Sequence, residues 1–305
     1  MTTTERLAAL LALLLAAGCA PPSAPIPEGA APEGLAAPPG ADRNVRFGLP
    51  AAAKADPSER EAHLIQRPQY TLSYNARTRT ANWVSGELRK DDIGHAQRGP
   101  FEPDPLLPPG FARVTSHVYD GSGFDRGHQC PAKDRSATQK DCDATFYMTN
   151  VVPQSPASNQ KAWERLESYC RELAKRGHVL QIACGPHGAG GTGKDGFKEE
   201  IGKGRLKVTV PARLWKVILV LPDAVAEPRK NTRVITVLMP NDQTVDYDWT
   251  RYRVSARRVE QLTGYTFFPA VPAEVAAALK DRVDDVKVRV PAPRGGGARK
   301  PGGPD

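Results

Sequence analysis

The stretch from Phe124 to Glu167 holds the residues best suited to chemistry. It opens Phe124-Asp125-Arg126-Gly127-His128-Gln129, continues through Met148-Thr149-Asn150-Val151-Val152-Pro153-Gln154 and closes with Asn159-Gln160-Lys161-Ala162-Trp163-Glu164-Arg165-Leu166-Glu167. A neutral imidazole at His128 can take a proton from water, because its unperturbed pKa lies near working pH. Amide and carboxylate oxygens at Asn159 and Glu167 are the donors a hard divalent cation prefers, without the thiolates that zinc favours. Arg126, and Arg98 upstream, would hold a phosphate and stabilise the extra negative charge of its transition state. The set suits a histidine base working beside a magnesium ion on a phosphodiester.

Taken singly, each residue has an ordinary structural explanation. A lone histidine is more often a hydrogen-bonded structural group than a catalyst. Asn150 would serve as a turn former, Asn159 and Glu167 as a solvated helix edge, and Arg98 and Arg126 as surface charge. Their combination and spacing favour the chemical reading. A competing motif fails on its surroundings: Gly188-Ala189-Gly190-Gly191-Thr192-Gly193-Lys194 matches a phosphate-loop string. Asp195 stands where a Ser or Thr should meet magnesium, and residues 197–204 make a poor helix, so the stretch reads as a flexible loop.

The elements that must position the window follow from periodicity. Ser155-Pro156 is a helix start, serine cap then proline in the first turn, and Gly177 is a stop. Trp163, Leu166, Cys170 and Leu173 form the buried stripe between them. Asn159, Trp163 and Glu167 fall on one i, i+4, i+8 row, which places Asn159 and Glu167 on one helix edge. Residues 69–74 and 81–88 read as paired strands about a turn at 75–80, and residues 145–148 as a short strand. The apolar runs at 179–183, 207–211 with 214–221, and 233–239 read as central strands, and residues 254–262 as a short helix. This is an α+β pattern.

The 305 residues carry a formal net charge of +8, and the pI near 9.3 favours an anionic partner. Arg6 precedes an apolar run from Leu7 to Ala17, too short to span a bilayer and fitting a signal-peptide core. The run ends Leu15-Ala16-Ala17-Gly18-Cys19, which resembles a bacterial lipobox. The expected domains are therefore a leader over 1–19, a Pro/Ala/Gly-rich tether over 20–60, one folded domain over 61–288 and a basic tail over 289–305. The expected location is periplasmic or cell-surface, anchored through lipid at Cys19. Four further cysteines, Cys130, Cys142, Cys170 and Cys184, form an even set in an exported chain and suggest two disulfides. Cys130–Cys142 would staple the loop after His128 and leave Cys170–Cys184. A zinc site at His128 and Cys130 is the alternative, weakened by the absence of any C-x-x-C pair.

From about Tyr70 to Pro272 the chain is similar to the DNA/RNA non-specific endonucleases, the family of secreted sugar-nonspecific nucleases and mitochondrial endonuclease G. The residues that carry the resemblance are Asp125-Arg126-Gly127-His128, then Asn150-Val151-Val152-Pro153-Gln154, then Asn159-x-x-x-Trp163-x-x-x-Glu167. Weaker matches flank them at Asn82-Trp83-Val84, Gly185-Pro186, Trp215-Lys216-Val217 and Thr263-Gly264. The resemblance implies a ββα-metal (His-Me finger) fold with a mostly antiparallel sheet. It implies His128 as general base, Asn159 as direct ligand of magnesium (or manganese in its place) and Glu167 as holder of a water of that ion. Arg126 and Asn150 would support the phosphate and the site's geometry, and Arg98 would stabilise the transition state. DNA and RNA would both be substrates, cut to 5′-phosphate ends, and a homodimer is compatible with the family. The reading from another class is a surface lipoprotein that binds DNA without cutting it, which would need none of His128, Asn159 and Glu167.

Overall fold

The structure, a computed structural model, describes residues 42–290. The leader, the lipobox cysteine Cys19 and all but the first two residues of the basic tail lie outside the described residues, as does residues 20–41 of the tether. Six strands form the main sheet: β1 (His63–Arg67), β2 (Tyr70–Asn75), β3 (Thr80–Leu88), β6 (Val179–His187), β11 (Arg213–Leu221) and β12 (Arg233–Pro240). They lie in the order β1-β2-β3-β6-β11-β12, every pair antiparallel. The central strands are long apolar runs because both faces of the sheet are covered. On β11, Leu214, Ile218 and Val220 face one core, and Trp215, Val217, Leu219 and Leu221 face the other, the period-2 alternation of a strand.

Three small hairpins complete the strands. β4 (Asp125–His128) pairs with β5 (Val151–Gln154), β7 (Gly191–Gly193) with β8 (Gly196–Lys198), and β9 (Glu200–Lys203) with β10 (Leu206–Thr209). Helix α1 (Gln139–Ala144) lies in the β4–β5 connection, and α2 (Glu164–Lys175) follows β5 and packs Leu166, Cys170 and Leu173 on the first face. The second face is covered by α3 (Ala256–Thr263), capped by Ser255 and ended by left-handed Gly264, and by α4 (Ala273–Asp281). The order β4–β5–α2 on an antiparallel sheet is the expected ββα arrangement within an α+β fold.

Several expectations are corrected. Residues 145–148 are not a strand; β5 begins at Val151, and its pairing to β4 tolerates Pro153 because the two-stranded ribbon leaves that strand an open edge. The run at 207–211 belongs to the β9–β10 hairpin and not to the central sheet. The stretch around the phosphate-loop-like string is the ordered β7–β8 hairpin, fastened by Thr192 N–H to Asn241 O at 2.9 Å and Lys194 N–H to Gly123 O at 2.8 Å. Residues 42–53 are packed onto the domain and do not continue the tether. Asn44 is fully buried and donates to the carbonyls of Arg67 and Pro68, and Phe47 enters the core.

Both expected disulfides are absent: Cys130, Cys142, Cys170 and Cys184 are free, buried thiols. Cys142 packs in a small cluster with Phe146, away from the main core that holds the other three. Two thiols have taken up carbonyl partners instead, Cys142 to Gln97 O at 3.4 Å and Cys184 to Gln129 O at 3.3 Å. Burial pushes the thiols of Cys130 and Cys170 up to about 12 and that of Cys184 up to about 11, so they act as small apolar fillers.

Candidate active site

The β4–β5 ribbon presents His128 from the last position of β4, opposite Val151. Gly127 has to be glycine, because any Cβ there would collide with the side chain of Gln154. The His128 ring is half-buried between two phenylalanines, 5.1 Å centroid to centroid from Phe101 and 4.9 Å, edge-on, from Phe146. Among the described residues the buried Nε2 has no hydrogen-bond partner, which leaves Nδ1 as the nitrogen that can face a water. Burial, and secondarily the Arg98 charge, push the imidazole down to about 3. The ring is therefore neutral at ordinary pH and able to accept a proton, and the charge of an arriving phosphate would raise its basicity.

Both expected arginines flank this ring. The Arg98 guanidinium lies 5.0 Å from the Phe146 ring centroid and that of Arg126 lies 5.1 Å from Phe101. Two cations thus stand on either side of the histidine, each against an aromatic face. Arg126 also reaches Asp120 at 3.6 Å. Phe101 and Phe146 were missed by sequence reasoning, since no local periodicity marks them. Their contact is made by backbone bridging, Glu102 N–H to Phe146 O at 3.1 Å and Met148 N–H to Glu102 O at 2.9 Å.

Asn150 bears on the geometry of the site through the backbone. It is fully buried, and its amide is consumed by backbone: Oδ1 accepts from Cys130 N–H at 2.8 Å, and Nδ2 donates to Cys130 O at 2.9 Å and Thr145 O at 2.8 Å. Asn150 therefore clamps the segment after His128 and has no group left for a phosphate.

The candidate ion holders Asn159 and Glu167 lie on the helical segment that follows β5. A wider π-turn over Ser158–Trp163 precedes α2, closed by Glu164 N–H on Asn159 O. Such i→i+5 turns occur often at functional sites, and this one displaces Asn159 from the regular i, i+4, i+8 row. Asn159 Nδ2 donates to Asp125 Oδ2 at 2.8 Å, and Gln160 Nε2 donates to the same oxygen at 2.8 Å. With its nitrogen so committed, the Asn159 carbonyl oxygen is the acceptor that remains. Asp125 is a third residue that sequence reasoning did not assign, although it stands first in Asp125-Arg126-Gly127-His128. The Asn159 amide oxygen and the Asp125 carboxylate beside it are oxygen donors of the kind that suits magnesium or manganese, and Glu167 adds a carboxylate on the helix that follows.

Glu167 is nearly buried, its side chain 13% exposed, and Lys216 Nζ lies 3.9 Å from its Oε1. Burial pushes this carboxyl up to about 7, against the pull of Lys216. Because the folded-state value lies above the ordinary 4.5, the folded protein holds the proton more tightly between those limits, and stability falls as pH rises from about 4.5 through 7. Glu167→Gln is accordingly expected to lose this fall, so that its melting temperature relative to the parent's rises between pH 4 and pH 8, as measured by calorimetry at the two pH values. A variant equally stabilised, or destabilised, at both would contradict the buried-charge account.

Residues 48–274 match the DNA/RNA non-specific endonuclease family. A nuclease of Nostoc sp. is 39% identical over 282 residues, spanning 91% of this chain and 97% of its own. Mitochondrial endonuclease G of Homo sapiens is 34% identical over 246 residues, 77% of this chain and 76% of its own. Among solved structures, the EndoG/EndoGI complex contains a chain that superposes with a TM-score of 0.62 at 29% identity, over 75% of this chain and 91% of that one.

Proposed function

The chain belongs to the DNA/RNA non-specific endonuclease family, and from that premise we propose that it hydrolyses internal phosphodiester bonds of DNA and RNA with His128 as base and a divalent ion at Asn159. The observation that carries the reading is His128 itself: a neutral imidazole with one buried nitrogen, flanked by Arg98 and Arg126. In this mechanism Nδ1 takes a proton from water as the water oxygen bonds to phosphorus. The P–O3′ bond breaks, and its electron pair leaves on the 3′-oxygen, which is then protonated from solvent. The product carries a 5′-phosphate. Arg98 and Arg126 bind the phosphate and offset the charge that builds on its oxygens. Asn159 would hold magnesium or manganese, Asp125 orients the Asn159 amide, and Glu167 would hold a water of the ion. Bound there, the ion would polarise the phosphate and stabilise charge on the leaving oxygen.

Every group assigned here grips the phosphodiester and none reads a base, which favours action on both nucleic acids without sequence preference. Next to Asp120, the partner of Arg126, a surface cleft of about 660 Å³ lined by His117, Lys198 and Lys203 among others offers room for a continuing strand. Export through the leader and anchoring at Cys19 would make nucleic acid outside the cytoplasm the substrate.

The test is digestion of plasmid, single-stranded DNA and RNA by the full chain, cleared of metal with EDTA and then supplied with magnesium. Cutting of all three only after magnesium is added is the expected result. DNA binding without cutting, under magnesium or manganese, would replace this reading with the non-catalytic DNA-binding one. The pH response is a second check. Protonation of Glu167 at about 7 competes with the ion, so activity at low magnesium should fall below about pH 7, and more magnesium should shift that limb to lower pH. A limb that ignores magnesium concentration would separate Glu167 from the ion.

A further inference from the structure

We propose that Lys216 is a positioning residue for the ion site, holding the Glu167 carboxylate in place from the sheet beneath it; this rests on the reading of Asn159 and Glu167 as the ion's holders. Lys216 occupies an apolar register on β11, between Leu214 and Ile218, on the face covered by α2. Its side chain is only 1% exposed, and its ammonium sits between two residues of the motif helix, 3.9 Å from Glu167 Oε1 and 4.5 Å from the centroid of the Trp163 ring. An ammonium in such a place is strongly unfavourable unless an anion answers it.

The surrounding groups identify that anion. Glu167, Asp134 and the thiols of Cys170 and Cys184 are the titratable neighbours of Lys216. Asp134 already has its own cation, Arg171 Nη1 at 2.9 Å, and Arg171 also reaches Ser168 Oγ at 2.8 Å. The thiols are protonated at ordinary pH. Glu167 is the charge left for Lys216. The Arg171–Asp134 pair ties α2 to the segment after His128, while Lys216 ties it to the central sheet. The motif helix is thus fixed from two sides, with the exposed edge of Glu167 left for the ion's water. The lone lysine within Arg213-Leu214-Trp215-Lys216-Val217-Ile218-Leu219-Val220-Leu221 is the sequence signal of this role.

Four full-chain variants test it: Lys216→Met, Lys216→Arg, Glu167→Gln and the double Lys216→Met/Glu167→Gln. Mn²⁺ binding is followed by the paramagnetic resonance of the free ion, without nucleic acid, beside melting temperature and DNA affinity in EDTA. Removing both charges should leave the melting temperature near the parent's, because a buried ion pair adds little to folding over uncharged side chains of like volume. Lys216→Met alone strands the carboxylate and should melt lower. That single variant should lose roughly 10–100-fold in Mn²⁺ affinity, the usual effect of removing an outer-shell partner. DNA affinity in EDTA should not move, and the double variant should bind Mn²⁺ no more weakly than Glu167→Gln alone. Parental Mn²⁺ affinity in Lys216→Met, or an undiminished further loss in the double variant, would overturn the proposal. If Lys216→Met fails to fold, Lys216→Arg decides: near-parental affinity supports a role for the charge, and a tenfold or greater loss at unchanged melting temperature refutes it. A parent that binds Mn²⁺ but cuts nothing would sink the nuclease reading and leave the Lys216–Glu167 coupling measurable. A parent that cuts but shows no coupling would remove Lys216 alone.

Discussion

Replacing His128 with alanine is expected to lower the cleavage rate by roughly 10²–10⁴-fold, the range contributed by a positioned general base, while DNA affinity and melting temperature stay near those of the parent. The separation follows from the geometry. His128 touches Phe101 and Phe146, and its buried Nε2 has no partner among the described residues, so no hydrogen bond among them is lost with the ring. Arg98 and Arg126, which would carry phosphate binding, are held against Phe146 and Phe101 and not against the histidine. Rates under single-turnover conditions and DNA binding in EDTA would be measured on the same preparation. Loss of binding and melting temperature together with the rate would mark His128 as a structural residue.

The largest stability effect is expected at Asp104, far from the reacting atoms in sequence but responsible for the loop that brings Arg98 and Phe101 to the site. Its carboxylate is fully buried and accepts from Arg67 Nη2 at 2.6 Å, from Leu106 N–H at 2.9 Å and from the Thr149 hydroxyl. Arg67 is itself only 6% exposed at the side chain. Asp104→Ala strands that guanidinium without an anion, and breaking a buried pair from one side costs about 3–5 kcal/mol. For a domain of this size that lowers the melting temperature on the order of 10 °C. Removing both charges with Arg67→Met/Asp104→Asn should restore much of the loss, because the stranded charge is the larger part of the penalty. Calorimetric melting of the three proteins checks both statements. A single variant that melts within a degree or two of the parent would show that the pair does not hold the loop.

What could be read before the structure was local. His128, Asn159 and Glu167 stood out because they fall within one short window, and the central strands because two-sided burial makes a strand a continuous apolar run. What could not be read depended on partners distant in sequence. Phe101 and Phe146 meet His128 through loops, Asp125 meets Asn159 across the ribbon, and Lys216 reaches Glu167 from another strand. The run at 206–209 alternates like a sheet strand, and nothing local says that it pairs with β9. Composition misled at residues 42–53, where small residues and a proline hide two anchors, Asn44 and Phe47. Parity misled at the cysteines, since an even number of thiols also arises when each fills a gap in the core. How Asn150 would support the site's geometry was not legible either, because its amide partners are backbone groups of Cys130 and Thr145.

The central claim is that water activated at His128 attacks phosphorus and expels the 3′-oxygen of a nucleic acid strand of either sugar. Its most direct test is cleavage of one single-stranded DNA and one RNA oligonucleotide by the full chain with magnesium in ¹⁸O-enriched water, with the fragments weighed by mass spectrometry. One ¹⁸O in the 5′-phosphate of each new end, and an unlabelled 3′-hydroxyl on its counterpart, is the expected result for both substrates. Label on the 3′ side, or RNA ending in a cyclic phosphate, would contradict the account, because the bond broken or the nucleophile would then be a different one.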